Sequence, residues 1–238
     1  ASNTAVGKGA LIANTTASNN TAVGENALTA NTTGTNNTGV GRDAGQAITT
    51  NSGCTMIGDS AGQANTAANN TALGAGALYA NTTGTLNTAL GTGTYGSTQG
   101  ALGSNTTGNN NTAVGARALT LNTTGDGNTA VGVYALNDNT TGDNNTAVGR
   151  DALDDNTTGT QNVAVGYAGL SANTTGNYNT SMGTYSGESN TTGSYNSALG
   201  RSALNQNTTG SQNTAIGHQA LYANTTANDN TAFGALAL

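Results

Sequence analysis

The sequence has no proline, no tryptophan, one cysteine and one phenylalanine, and only 7% of its 238 residues are charged. Large core-forming side chains are therefore scarce, and a wide globular core is hard to build from this chain. Such a composition is typical either of a disordered chain or of a repeat fold with a thin core. The single cysteine, Cys54, excludes an intrachain disulfide framework.

Charge and hydropathy argue against two further classes of protein. The net charge of −6 offers no basic patch for phosphate groups, so no nucleic acid partner is expected. No stretch approaches the ~18 consecutive apolar residues that a membrane-spanning helix needs, so no membrane insertion is expected.

A recurring Asn-Thr-Ala-Val-Gly string marks an internal repeat, and its glycine recurs mostly every 17 residues. The glycines of this set are Gly7, Gly24, Gly41, Gly58, Gly74, Gly91, Gly115, Gly132, Gly149, Gly166, Gly183, Gly200, Gly217 and Gly234. One interval is 16 residues, and the interval from Gly91 to Gly115 is 24, which Gly103 divides into two coils of 12. This register predicts one repeat domain over residues 1–238, with irregular short coils at 92–115.

The repeat is too short for a pair of helices, and its Gly and Asn-Thr-Thr segments would break helices. Two short strands per coil, separated by turns at these segments, fit the pattern well. The expected fold is therefore an all-β parallel β-solenoid of about 17-residue coils, stacked about 4.8 Å apart.

The residue before each repeat glycine is always apolar, as at Val6, Val23 and Leu102, and we expect this row to form the core. The threonine two residues earlier shares that face of a strand, and Val163 at this position agrees with an inward direction. The alanine between them would face outward, and its uniformly small size predicts packing against another chain. Representative members of this row are Ala113, Ala130 and Ala147.

The free energy of folding also favours assembly. One Val, one Leu and a few Ala per coil bury enough surface for only a few kcal/mol. Ordering each residue costs about 1.5 kcal/mol. Three stacks packed on their alanine faces would add the missing burial.

The string N-T-A-V-G-x-x-A resembles the S-V-A-I-G-x-x-A repeat of trimeric autotransporter adhesin heads. It also resembles the repeat shafts of phage tail-fibre-like and endosialidase-chaperone-type surface proteins. The resemblance covers residues 2–234, although an extra Asn-Thr-Thr lengthens one turn of each coil here. It implies a left-handed β-roll, a trimer, and a place on a cell or virion surface, where family members bind host matrix or extend a shaft.

No constellation of residues predicts chemistry. Residues 91–96 match G-x-G-x-x-G, but no long apolar strand precedes them and no helix follows, so a tight turn is favoured over a nucleotide site. His218 and Cys54 lie far apart along the stack, which argues against a metal site or a Cys–His pair. Asp154 and Asp155 are adjacent, but paired carboxylates in a turn are usually only solvated, so we do not interpret them as a catalytic pair. We therefore expect no catalytic residue, no cofactor, no metal and no enzymatic activity.

An asparagine begins the turn in nearly every coil, usually as part of an Asn-Thr-Thr string. Two interpretations of this asparagine row stay open. These residues either form hydrogen-bonded ladders between coils or, because Asn-Thr-Thr is formally a glycosylation sequon, carry glycans. The threonines could also take O-linked sugar, so a bound or covalent glycan is a candidate partner. The positions are Asn14, Asn31, Asn81, Asn105, Asn122, Asn139, Asn156, Asn173, Asn190, Asn207 and Asn224.

Regular threonine rows on a flat β-solenoid are typical of ice-binding proteins, and the low charge agrees with that function. Two points weigh against it: the strand threonine is expected inside, and at most one of two adjacent turn threonines can project from a flat face. The sequence therefore predicts first a structural subunit of an extracellular fibre or adhesin shaft. This subunit would be trimeric and continued head to tail at a cell or virion surface. An ice-binding β-solenoid is the alternative.

Overall fold

A computed structural model describes residues 2–93 and 99–238. The chain divides into two compact units, Ala1–Thr124 and Gly125–Leu238. The described residues of each unit form parallel strands and turns without a helix. The predicted all-β parallel β-solenoid is thus confirmed for each unit. Among the residues that the structure describes, none belongs to a helix with the length and apolar character to cross a membrane.

Each coil contributes one strand of three residues. In the first unit these are β1 (Thr4–Val6), β2 (Thr21–Val23), β3 (Thr38–Val40), β4 (Thr55–Ile57), β5 (Thr71–Leu73), β6 (Thr88–Leu90) and β7 (Thr112–Val114). In the second unit they are β8 (Thr129–Val131), β9 (Thr146–Val148), β10 (Val163–Val165), β11 (Thr180–Met182), β12 (Ser197–Leu199), β13 (Thr214–Ile216) and β14 (Thr231–Phe233). Within each unit, successive strands pair in parallel and in register, so that equivalent residues of neighbouring coils lie side by side.

The prediction of two strands per coil is wrong, because the second wall of the coil is made of turns. Leu28 in this wall has a φ of 49°, and Leu119 and Leu136 have φ values of 52° and 51°. This left-handed conformation cannot belong to a strand and costs roughly 1–2 kcal/mol per residue. It is stabilised by stacking, since the backbone N–H of Leu28 donates to Ala44 O in the next coil at 3.0 Å.

The repeat glycine ends each strand because a side chain there would strike the next coil. At Gly166 φ is 137°, and an added Cβ would lie 2.7 Å from the carbonyl carbon of Gly183. Gly74 is in the same position relative to Gly91, at 2.8 Å. Close backbone contact between coils therefore explains why glycine recurs at this position in every coil.

The predicted direction of the strand side chains is wrong. The central alanine of each strand points into the coil, and Ala113, Ala130 and Ala147 are all 0% exposed within the chain itself. The apolar residue after it faces outward, as at Val131, which is 37% exposed. Leucine and asparagine from the opposite wall fill the interior, which leaves room at the strand for little more than a methyl group. These alanines consequently have no surface to offer a second chain.

The long interval between Gly91 and Gly115 is one coil with an insertion, not two short coils. Leu78 N–H donates to Ala101 O, and Leu102 N–H donates to Ala118 O, both at 3.0 Å. Ala101 and Leu102 thus occupy the inner Ala-Leu positions of a regular coil, and Leu102 is fully buried there rather than in the row of Val6. The seven extra residues of this 24-residue interval fall between Gly91 and Ala101.

Candidate functional surfaces

The turn asparagines point into the coil and form a hydrogen-bonded ladder. Asn156 Nδ2 donates to Asn139 Oδ1 at 2.8 Å, and Asn173 Nδ2 donates to Asn156 Oδ1 at the same distance. Each amide also closes its own turn, as Asn156 Nδ2 does on Gly159 O at 3.0 Å. The ladder interpretation of the sequence is therefore confirmed, and it explains why asparagine recurs in the interior of a narrow coil.

This burial overturns the glycan interpretation for the asparagines. The side chains of Asn31, Asn81, Asn105, Asn122, Asn139, Asn156 and Asn173 are 0% exposed, and Asn190 and Asn207 are 1% exposed. Asn14 and Asn224 are partly exposed, but their amides hydrogen bond to Ala17 O and Asn207 Oδ1 respectively. A glycan at the buried positions would require the ladder to open.

The ladder is incomplete in the first coils, where Asn14 Oδ1 has no hydrogen-bond partner among the described residues, and one further coil interrupts it. Ile48 stands where the neighbouring coils have Asn31 and Asn65, and it is fully buried. As a result Asn31 Oδ1 is buried without a hydrogen-bond partner among the described residues. Ile48 Cδ1 fills the space beside Gly45, which takes the place of the usual inner leucine. Packing has here replaced a ladder hydrogen bond.

A second asparagine ladder lies just before the strands. Asn37 N–H donates to Asn20 Oδ1 at 2.8 Å, and Asn20 Nδ2 donates to Gly34 O at 2.8 Å. Cys54 replaces asparagine in this row and is 0% exposed, and burial raises the pKa of its thiol. The thiol is therefore an interior group held in its neutral form rather than a nucleophile.

The outer face of the sheet carries two columns of side chains. One column is the strand threonine, with Val163 and Ser197 as exceptions. The other column consists of the outward apolar side chains that end the strands, and we call it the aliphatic column. Most of its exposed members have an exposed fraction between 36% and 46%. Its members are Val6, Val23, Val40, Ile57, Leu73, Leu90 and Val114 in the first unit, and Val131, Val148, Val165, Met182, Leu199, Ile216 and Phe233 in the second.

A different surface lies at the Asn-Thr-Thr turns, where both threonines are accessible to solvent. The first threonine is anchored, since Thr106 Oγ1 donates to Thr123 O in the next coil at 2.9 Å. The second threonine is exposed, as at Thr33, Thr83 and Thr107. Both threonines of a turn thus have solvent-accessible surface, and the hydroxyl of the first is directed to the backbone of the next coil.

Charged side chains form ion pairs at the surface. Arg42 Nε lies 2.8 Å from Asp59 Oδ1 in the next coil, and both residues are exposed. His218 is exposed on the second unit. Over residues 2–93 and 99–238, no group of three or more His, Cys, Asp or Glu side chains is arranged to hold a metal ion. Residues 94–96 of the G-x-G-x-x-G match lie outside the described residues.

The direction of the strand side chains had a signal in the sequence that parity alone missed. Where the strand alanine becomes Met56, the inner leucine of the same coil becomes Gly62, and the two side-chain positions are in contact. This paired exchange indicates that the alanine and leucine rows face each other.

No family model matches this chain, and neither a curated protein nor a solved structure matches it.

Proposed function

We propose that the chain is a non-enzymatic structural subunit of an extracellular fibre or adhesin shaft, in which copies associate through the aliphatic column. The observation that carries the proposal is this column itself. It places an outward apolar side chain on every strand, although large apolar side chains are scarce in this chain.

A continuous apolar stripe on a soluble surface typically marks a binding interface, because covering it removes apolar area from water. Within the stripe the side chains vary among Val, Leu, Ile, Met and Phe. Such variation suits a protein interface, where each side chain meets a partner of matching shape.

A second copy of the chain is the partner that fits this surface best. Identical solenoids have the same distance between coils, so their stripes match along the whole length of the contact. The similarity of N-T-A-V-G-x-x-A to the repeats of trimeric adhesin heads supports three copies and a surface location. It also supports shaft extension, with head-to-tail continuation, as the role.

The test is the mass of the full chain in solution by sedimentation equilibrium. We expect a trimer for the natural sequence, and folded monomers for the double variant Val148→Lys and Met182→Lys, because lysine at both sites would bring like charges into the contact. The matched control is Thr158→Lys with Thr175→Lys, which adds the same charge at the turns of the same unit and should stay trimeric.

Circular dichroism separates lost association from lost folding in these variants. A natural chain that is a monodisperse monomer over the accessible concentrations would refute self-association. Equal dissociation of the two double variants would show that added charge, rather than the aliphatic column, controls assembly.

A further inference from the structure

The second threonine of the turns is retained where the fold does not require it. In the first unit it occupies every turn except that of the shortened coil, as Thr16, Thr33, Thr50, Thr83, Thr107 and Thr124. All six are exposed. Their hydroxyls have no hydrogen-bond partner within the described part of the chain. Other exposed positions differ from coil to coil, such as Lys8, Glu25 and Ala75 after the repeat glycine.

The first threonine of each turn supplies a fixed neighbour. Thr15, Thr32 and Thr82 each donate from Oγ1 to the threonine carbonyl of the next coil, at 3.0, 3.2 and 2.9 Å. One repeated hydrogen bond therefore holds the same side-chain conformation in successive coils. The methyl groups of this column therefore form a regular row. Because the side chains are already ordered, binding costs little further side-chain entropy.

The turns of the first unit also carry little charge. The segments at residues 13–19, 30–36, 47–53, 64–69, 80–86, 104–110 and 121–124 contain no Asp, Glu, Lys or Arg, and Asp126 follows the last of them. In the second unit, by contrast, Asp138, Asp143 and Asp155 lie within or beside these turns. Charged groups hold their own hydration shells strongly, so their absence leaves a surface that water can cover in one uniform arrangement.

We propose that the paired threonine columns of the first unit bind ice. Equivalent side chains in adjacent coils are about 4.8 Å apart, close to the repeat of oxygen rows in hexagonal ice. The first threonine presents its methyl group, because its hydroxyl is bonded to the next coil, and the second presents a methyl group and a hydroxyl. The methyl groups favour ordered water between the columns, and the exposed hydroxyls of the second column hydrogen bond to that layer.

This activity is independent of the proposed fibre role because it uses another part of the coil. The sheet face is less suited to a lattice, since its aliphatic column changes size from Val23 to Leu73 and Leu90. The turn columns keep threonine along the unit, and the one exception is Ala67 in the second column at the shortened coil. The aliphatic column, with its varied side chains, therefore suits a protein partner. The threonine columns suit the regular surface of a crystal.

The experiment measures thermal hysteresis and ice-crystal shape for the full chain and for two double variants. Thr83→Lys with Thr107→Lys places long charged side chains on the exposed column of two adjacent coils. We expect this variant to lose the gap between melting and freezing temperatures while its circular dichroism and Tm stay unchanged, because the hydroxyls it removes make no internal hydrogen bond.

The matched control is Ala75→Lys with Thr92→Lys, which adds two charges at exposed positions after the strands of the same unit. It should keep the hysteresis. A natural chain that neither shapes ice nor lowers its growth temperature would overturn the proposal. Full activity in the Thr83/Thr107 variant would also overturn it. Sedimentation of the same samples reports the fibre proposal separately.

Discussion

Volume is exchanged between individual residues across the narrow interior of the coil. Met56 replaces the usual strand alanine and is fully buried, while Gly62 replaces the usual inner leucine. A Cβ added to Gly62 would collide with Met56 Sδ. The pair therefore behaves as one packing unit, in which a large and a small residue have changed sides.

We predict strong coupling between these two positions in a double-mutant cycle. Met56→Ala alone should lower the free energy of unfolding by about 2–4 kcal/mol, because it leaves a cavity beside Gly62. Gly62→Leu alone should lower it by about 1–3 kcal/mol through overpacking. The double variant has the residue pair of an ordinary coil and should regain most of the loss, as measured by urea unfolding. Additive losses would show that the alanine and leucine rows do not face each other.

A position can also depart from the pattern without compensation. Ser181, Ser186 and Gly187 occupy the two inner alanine positions and the leucine position of one coil. A small cavity remains there, lined by Leu170, Asn190, Ala198 and Leu204 among others. The hydroxyls of Ser181 and Ser186 hydrogen bond to each other. In the Met56 coil, by contrast, a large side chain at the strand position fills the space opposite the glycine.

At the scale of structural elements, the turn wall rests on the asparagine ladder. Each rung both donates to and accepts from its neighbours, so a single loss leaves polar groups unsatisfied in two adjacent coils. The strands provide the opposite wall with only three residues each. The strand pairing and the asparagine ladder thus both stabilise the stacking of one coil on the next.

We predict that Asn156→Ala lowers the free energy of unfolding of the full chain by about 2–4 kcal/mol, because it removes three hydrogen bonds from a buried site. Thr158→Ala, two residues along the same turn and exposed, should change it by less than about 0.5 kcal/mol. Thermal unfolding followed by circular dichroism measures both. Similar effects for the two variants would contradict a supporting role of the ladder.

The sequence was sufficient for the period and the parallel strands, because each follows from residues that recur at the same place in every coil. It indicated the asparagine ladder as one of two interpretations. It was insufficient for the direction of the strand side chains. A three-residue strand allows either Ala or the Thr–Val pair to face inward, and hydrophobicity favours Val. The interior excludes Val because Leu28 and Asn31 reach across from the other wall. That dimension depends on turns with positive φ at leucine, which residue preferences do not predict.

At the scale of the whole molecule, the polar interior consists mainly of groups that do not titrate. The buried polar residues are largely Asn, with a few Ser and Thr, and Asp43 at the edge of burial is paired with Arg42. Stability should therefore depend little on pH through the neutral range. Cys54 is the exception, because burial raises the pKa of its thiol above the value in the unfolded chain.

The sign of this effect follows from linkage. A raised pKa in the folded state adds stability below the unfolded value of about 8.5, and this stability is lost as the pH rises toward the folded value. We predict a nearly constant free energy of unfolding from about pH 5 to 8 and a decline of up to about 1.4 kcal/mol per pH unit above that. Urea unfolding of the natural chain and of Cys54→Ser measures it below about pH 10, where tyrosine begins to titrate, and the serine variant should lack the decline in that range. An unchanged decline in Cys54→Ser would assign it to another group.

The insertion after Gly91 has a consequence for how such chains diversify. The backbone bonds on both sides of it, Gly91 N–H to Leu73 O and Gly115 N–H to Leu90 O, are formed as in ordinary coils. Extra chain can therefore leave and re-enter a coil at this corner without disturbing the coils above and below. Each such corner is a place where new sequence can be grafted in one genetic step. In a lineage built by duplicating one short module, novelty would then accumulate at the corners while the stack is inherited intact.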